Sequence, residues 1–426
     1  MERQAFDVIL ICCGVLIADF YLIRGIRTGF KKWKFAQKKA FSIIYWSFSI
    51  AITLGLFISI FAQTGLGFRA AFLLVFCLLV FTKALFLPFM LADDIRRFIK
   101  WYKQRKTTPI PAEEKSGTFK AIPRSEFLMK AGLLAGSIPL AGLTYGTISG
   151  VYDYRIKRHK LYLPNLPKAF DGLRLGQISD IHSGSFYNKK AVAGGVDMLM
   201  KEKADVIFFT GDLVNIYANE MKDYQDIFSK VKAPLGVYSS LGNHDYGDYL
   251  DWREEDIKER NFKAIVQTHK NMGWDLLRNE NRRLKVGGEE IGILGVENWS
   301  AMTRFLKRGR MDLTVKNTDD LPVKLLLSHD PSHWRAEILP QYPQIDAMFA
   351  GHTHGMQFGV RTEHFQWSPI KYIYNEWAGF YRQGAQQLYV NVGYGFLGYP
   401  GRLGILPEIT IFELKASADP SLQKGA

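Results

Sequence analysis

Five short stretches in the second half of the chain each set metal-type ligands directly behind an apolar run: Asp180 and His182, Asp212, Asn243 with His244, His329, and His352 with His354. The runs themselves, 173–178, 206–209, 235–240, 323–327 and 345–349, are short, apolar or alternating, and bounded by Gly, Pro or Asp, which predicts strands. Helical patterns over 189–203 and 223–231 lie between some of them, so the layout is α/β. In such sheets ligands gather beyond the carboxyl ends of the strands, where loops from several strands converge. All five stretches stand at that position.

Residue type narrows the chemistry. Asp180 and His182 are two apart, so on an extended chain they point to the same side and hold one ion together. Asp212 has two carboxylate oxygens and can bridge two ions. Asn243, His329, His352 and His354 complete an oxygen and nitrogen set without thiolate, which suits two divalent ions, Mn, Fe, Zn or Mg, and does not choose among them. Two ions about 3.5–4 Å apart clamp a phosphoryl group and lower the pKa of a bridging water until hydroxide attacks phosphorus. Phosphoester hydrolysis is the reading these residues carry.

The order Asp-Ile-His (180–182), Gly-Asp (211–212), Gly-Asn-His-Asp (242–245), Ser-His (328–329) and Gly-His-Thr-His (351–354) is similar to that of the calcineurin-like metallophosphoesterase superfamily, over residues 160–415. The resemblance implies a β-sandwich flanked by helices. It also implies that Asp180, His182 and His354 hold a first ion and Asn243, His329 and His352 a second, with Asp212 between them. His244 would stay off the metals, donate to the phosphate and protonate the leaving oxygen. Asp245 would orient His244, as a carboxylate fixes the tautomer of a general acid. His159, His269, His333 and His364 fit no motif and read as hydrogen-bonded structural residues; His333, four past His329, comes nearest to an exception.

Charge divides the chain. Residues 1–160 hold 24 Lys and Arg against 9 Asp and Glu, whereas the rest holds 31 against 32. A nucleic-acid enzyme would carry basic charge around its active site, and this catalytic half is neutral, so nucleic acid is not an expected partner. The basic part reads as membrane: 6–23, 41–62, 70–91 and 131–152 are apolar stretches near bilayer-spanning length, interrupted only by Asp7, Asp19 and Lys83. Three spans are clear, and the fourth is rich in Gly and Ala and contains Pro139. Asp19 is costly in lipid and is expected to face another helix. The division is thus an all-α region of three to four transmembrane helices over 1–153, a catalytic domain over 154–415 and a polar tail over 416–426.

Lys and Arg beside membrane ends stay inside, which puts the basic loops 24–40 and 92–130 in the cytoplasm and the nearly uncharged loop 63–69 outside. A fourth span then delivers the catalytic domain out of the cytoplasm. Arg155, Lys157, Arg158 and Lys160 directly behind that span argue the other way; if 131–152 does not cross, the enzyme is cytoplasmic. The segment from Arg124 to Lys130 resembles a twin-arginine export signal with one of its two arginines. Cys12, Cys13 and Cys77 all fall in predicted spans, leaving the catalytic half without thiols. Residues 107–118 read as a linker.

Two accessory regions stand out. The aromatic run 365–381 reads as a hairpin packed on the domain, in residue types that also suit membrane interfaces and pocket walls. Met302, Phe305 and Leu306 adjoin Lys307, Arg308 and Arg310, a combination that fits anionic headgroups as well as a solvated loop. The glycine-rich run 391–402 is expected to return near the metals, with Arg402 as a phosphate contact. The reading is a dinuclear metallophosphoesterase anchored in the inner membrane by several spans, with the bilayer and a lipid-linked phosphodiester or pyrophosphate as partners. The alternatives are a cytoplasmic UDP-2,3-diacylglucosamine pyrophosphohydrolase and a non-catalytic scaffold of the same fold.

Overall fold

The structure is a computed structural model that describes residues 2–61, 66–107, 123–362 and 364–417. Residues 63–65 of the expected outer loop 63–69, the linker 107–118 beyond Thr107 and the tail 416–426 beyond residue 417 lie outside the described residues, and residues 66–69 are helical instead of loop. The chain divides into two units, Met1–Thr144 and Tyr145–Ala426. The last turn of the fourth apolar helix therefore belongs with the second unit, where the division drawn on the sequence stood at residue 153.

The first unit consists of helices α1 (Glu2–Gly29), α2 (Lys34–Gln37), α3 (Lys39–Phe61), α4 (Leu66–Thr107) and most of α5 (Glu126–Ile148). Four of them are long and apolar enough to cross a membrane. The fourth is continuous through Pro139. Two of the charges inside the spans, Asp19 and Lys83, do not face lipid singly. Asp19 of α1 is fully buried, accepts hydrogen bonds from Tyr45 (2.6 Å) and Ser49 of α3, and pairs with Lys83 of α4 at 2.8 Å. One carboxylate thus ties three helices together, in a medium that offers it no other partner. Farther along, Asp93 and Asp94 take up Arg96, Arg97 and Arg124, so part of the basic cluster is internally neutralised.

The second unit is built on two six-stranded mixed sheets. The first runs in the order β1 (Arg155–Leu163), β14 (Glu408–Ala416), β2 (Arg174–Ile178), β3 (Val206–Thr210), β4 (Val237–Ser240) and β5 (Asp275–Leu276). The second runs β12 (Gly379–Gln383), β13 (Gln386–Val390), β9 (Ala347–Ala350), β8 (Lys324–Leu327), β7 (Glu289–Gly295) and β6 (Glu280–Val286). A short hairpin, β10 (Val360–Arg361) with β11 (Gln366–Trp367), stands apart.

Leu161, Leu175, Phe208 and Phe412 of the first sheet meet Ile293, Leu325, Phe349 and Tyr389 of the second in one buried cluster, the sandwich core. The outer face of the first sheet is covered by α6 (Lys189–Lys201) through Val192, Val196 and Leu199. That of the second is covered around Trp334 and Ile338. The fold is the helix-flanked β-sandwich expected. β2, β3 and β4 run parallel in one sheet, and β7, β8, β9 and β13 in the other, so their carboxyl ends share one edge of the sandwich.

Replacing Lys83 with Met should leave Asp19 as an uncompensated buried charge. The expected cost is about 3–5 kcal/mol, read as a lowered unfolding midpoint of the detergent-solubilised chain, and a double variant with Asp19→Asn should recover most of it. A Lys83→Met chain as stable as the parent would show that the pair does not hold the helices.

Candidate metal centre

Each ligand-bearing stretch leaves its strand where the backbone must turn sharply. Asp180, His182, Asp212, His352 and His354 all take left-handed φ, between 48° and 71°. Non-glycine residues accept that region at a cost and do so mainly where surrounding structure enforces it. Asp180 and His182 are therefore brought together by two left-handed residues, not by the extended chain the sequence reading assumed. The adjoining glycines permit the closeness: a Cβ at Gly351 would lie 2.0 Å from Ser179 Oγ, and one at Gly242 would lie 2.2 Å from Asp212 Oδ1. Within each sheet, Gly351 N–H donates to the His329 carbonyl (2.9 Å) and Asp180 N–H to that of Gly211 (2.9 Å), so loops that follow neighbouring strands brace one another.

The side chains converge as two groups, Asp180, His182 and His354, and Asp212, His329 and His352, each with its ligand atoms within 4.8 Å of one another. Asp212 Oδ2 joins them, lying 3.4 Å from His182 Nε2 and 3.1 Å from His329 Nε2. Asn243 turns its amide nitrogen to the Tyr249 hydroxyl (2.6 Å) and leaves its buried Oδ1 without a partner. His182 Nε2 and His354 Nε2 are likewise buried with no hydrogen bond. Orphaned polar atoms of this kind are rare in folded proteins, and here three of them face the position of a cation.

The imidazoles are oriented by groups that the motifs do not contain. His182 Nδ1 faces Asn215 Oδ1 (3.1 Å), and His329 Nδ1 faces the Thr210 carbonyl (2.7 Å). These oxygens only accept, so the Nδ1 atoms carry protons and Nε2 is the atom each ring turns to the site. His352 is reversed. Its Nε2 is 2.8 Å from the Tyr374 hydroxyl, which donates to Asp330 at 3.2 Å, and its Nδ1 looks toward His329 Nε2 at 3.3 Å. Electrostatics ask for positive charge. Burial works to raise the Asp180 and Asp212 carboxyls, yet the surrounding imidazoles outweigh it and hold both below the usual carboxylate range. Burial opposes a charge on His329, but Asp212 and Asp180 push it up to about 10. A site that draws a proton this strongly is built for cations. Two carboxylates, four imidazoles and an amide oxygen fit divalent ions of the Mn, Fe, Zn or Mg kind.

His244 stands apart from both groups. Its Nδ1 donates to the Asn215 carbonyl (2.8 Å) and its ring stacks on Tyr249 with centroids 4.4 Å apart. Nε2 is the ring atom left to exchange a proton. Asp245 does not touch it, which corrects the sequence reading. Its buried carboxylate accepts from the amides of Gly242 (2.9 Å), Asp212 (3.0 Å) and Leu213 (2.8 Å), clamping two ligand loops together. Burial and Asp212 push that carboxyl up to about 7 against the pull of the amides.

Arg402 is also corrected. It is fully buried, and its donors go to the carbonyls of Gly395 (2.6 Å) and Val392 (2.8 Å), with Nη2 3.2 Å from His354 Nδ1. An arginine so enclosed has no donor to offer a phosphate. The cation on the pocket is Arg304, beside Phe305, Tyr249 and Tyr374, in a cavity of about 410 Å³ that includes Asp212, Asn243 and His244. Neither Arg304 nor Tyr374 carried a signal in the sequence beyond lying in basic and aromatic runs. His333 bonds to Ser328 Oγ (2.9 Å) and Glu337 (3.0 Å), and His269 to Ser239 Oγ (3.0 Å), as structural histidines do.

Residues 173–356 match the family model for calcineurin-like phosphoesterases, and residues 4–151 match one described as a probable calcineurin-like phosphoesterase transmembrane domain. An uncharacterized metallophosphoesterase of Bacillus subtilis, YkuE, is 28% identical over 70% of this chain and 99% of its own length. Residues 173–356 thus carry a calcineurin-like phosphoesterase domain, preceded by the transmembrane domain that accompanies such domains. A zebrafish transmembrane protein with metallophosphoesterase domain is also 28% identical, over 64% of this chain and 60% of its own length, so the chain spans about three-fifths of that relative. Among solved structures, the phosphopantetheinyl hydrolase PptH from Mycobacterium tuberculosis overlaps 47% of this chain and 89% of its own, at 12% identity and a TM-score of 0.29, a likeness too loose to carry activity or substrate across. The family is that of phosphoester hydrolases that use divalent metals, here attached to transmembrane helices.

Asn215→Ala should lower divalent metal affinity by about 10–100-fold with the fold intact, because it frees the His182 ring. Titration of metal into the chelated protein checks this. Unaltered affinity would show that the ring is held by packing alone.

Proposed function

We propose that this chain is a membrane-anchored phosphohydrolase that binds one divalent ion at Asp180, His182 and His354 and a second at Asn243, His329 and His352, shares Asp212 between them, and cleaves a phosphodiester or pyrophosphate in a lipid-linked substrate. The observation that carries the reading is the pair of ligand groups joined by one buried carboxylate at the floor of the cavity. When bound, two such ions polarise phosphoryl oxygens and acidify a water nucleophile. The protein's own residues supply the rest. His244, fixed by the Asn215 carbonyl, presents Nε2 to the cavity and hands a proton to the leaving oxygen. Arg304, on the rim, answers the negative charge of the substrate. Phe305, Ile370 and Leu397 give the cavity apolar walls that suit a substrate with an apolar part.

The basic loops around α2 and beyond α4 support a catalytic unit on the far side of the membrane from the cytoplasm. A cysteine at exposed Gln383, in a catalytic unit that has none of its own, reports this. Labelling of intact cells by a membrane-impermeant thiol reagent is the expected outcome. Labelling only after lysis would place the unit in the cytoplasm and turn the substrate toward a nucleotide-linked lipid such as UDP-2,3-diacylglucosamine.

Chelation should abolish hydrolysis of a chromogenic phosphodiester, and re-addition of Mn should restore it. His244→Ala should keep its metal and lose about 10²–10⁴-fold in turnover, whereas Asp212→Ala should lose metal and activity together. A fully metallated, active Asp212→Ala enzyme would remove the bridging role.

A further inference from the structure

Immediately behind the last ligand the chain builds an apolar projection whose described side chains are exposed. Met356, Phe358, Val360, Phe365, Tyr372 and Ile373 are each between 38% and 74% exposed. They sit on one connected wing. Ser368 Oγ donates to the Gly355 carbonyl (2.8 Å), Val360 pairs with Trp367, and the turn Pro369–Tyr372 leads back into the cavity through Ile370 and Tyr374. Leu306, 58% exposed, lies on the loop whose Arg304 and Phe305 line the same cavity as Ile370 and Tyr374. Exposed apolar groups scattered singly need no explanation, but a contiguous set around a cavity mouth marks an interaction surface.

Two observations say what covers it. Among the described residues, the exposed charges are Lys371 on the wing, which lies over the Tyr372 ring, and Arg304 and Lys307 on the neighbouring cavity loop, and cations mixed with aromatics and aliphatics in this way suit anionic lipid headgroups; the acid between β10 and β11, Glu363, lies outside the described residues. The second is the position of the tether. The last turn of α5, part of the catalytic unit, docks on the loop that edges the cavity. Arg402 N–H donates to the Gly146 carbonyl (3.1 Å), and a Cβ on Gly146 would lie 2.9 Å from the Arg402 carbonyl. The Tyr187 hydroxyl donates to the Thr147 carbonyl (2.6 Å). The same loop is stitched to the wing by Gln357 Nε2, which donates to the Tyr399 carbonyl (2.6 Å), and it sends Leu397 into the cavity wall. A helix long enough to cross a bilayer leaves its last turn at the bilayer surface. The loop that edges the cavity is therefore bonded to the end of an apolar helix of bilayer-spanning length.

We infer that the described residues of the wing, 356–362 and 364–373, with Leu306, seat on the surface of the anionic bilayer, and that the cavity takes its phosphoester from a lipid still resident in that bilayer. The second half of the inference rests on the reading of the site as a phosphohydrolase; the first does not.

The test uses the full chain with Cys12, Cys13 and Cys77 changed to Ser, reconstituted in vesicles of phosphatidylcholine and phosphatidylglycerol. Tyr372→Cys carries an environment-sensitive fluorophore. Lys285→Cys carries it in a reference protein, because Lys285 lies at the opposite end of the sandwich, near where β7 begins its run toward the site. Acyl chains brominated near the glycerol should quench the label at 372 and spare that at 285. Equal quenching at both positions would overturn the seating. A second variant, Phe365→Asp with Tyr372→Asp and Ile373→Asp, changes exposed side chains only. It should raise KM for a vesicle-borne phosphodiester at least about tenfold, the worth of one large apolar side chain left unburied, with kcat and the turnover of soluble bis(4-nitrophenyl) phosphate unchanged. An unchanged KM on vesicles overturns delivery from the bilayer. A parent enzyme that leaves the soluble ester intact refutes the phosphohydrolase reading instead, and the quenching result stands apart from it.

Discussion

The Asp212 carboxylate is the point on which the catalytic unit turns. It is buried, its two oxygens are spoken for by His182, His329 and the His244 amide, and it lies where loops of the two sheets meet. A buried carboxylate without compensation would cost several kcal/mol. The imidazoles gathered around it, and the divalent ions the family uses, provide that compensation. Left-handed backbone at five candidate ligands, and glycines that let chains approach within van der Waals distance, are what the fold spends to hold this concentration of donors in one place.

Around that centre lies a shell of groups whose task is orientation. Asn215 uses its side chain on His182 and its carbonyl on His244, so one loop sets both a ligand and the candidate acid. Asp330 and Tyr374 do the same for His352 from the other sheet. Asp245 and Arg402, assigned to the reacting side by sequence, belong to this shell. Both lie close to the site, and both spend their hydrogen bonds on backbone of the loops around it. Their removal would loosen geometry before it altered chemistry.

The first unit solves a different problem with the same economy. Asp19 and Lys83 would each be costly facing lipid, and together with Tyr45 and Ser49 they become a lock among α1, α3 and α4. The expectation that Asp19 faces another helix holds. Which helix supplied the cation followed only from the packing.

The apolar runs, their bounding Gly and Asp, and the motif order were enough to read the strands, the sandwich and the seven candidate ligands, because those signals are local: a strand end and the two or three residues after it. The four apolar helices were legible for the same reason. What the sequence could not carry were pairings between residues far apart in the chain. Asn215 meets His182, Tyr374 meets His352, and Arg304 reaches the cavity that Arg402 was expected to serve. Those choices depend on which donor finds an acceptor once two sheets have packed and water has been excluded. The sequence by itself determined which strand ends carry the candidate ligands; tertiary structure alone decided tautomers, the buried or exposed fate of the charges around them and the apolar wing at the cavity mouth, because hydrogen-bond partners and solvent exposure exist only after the chain has folded.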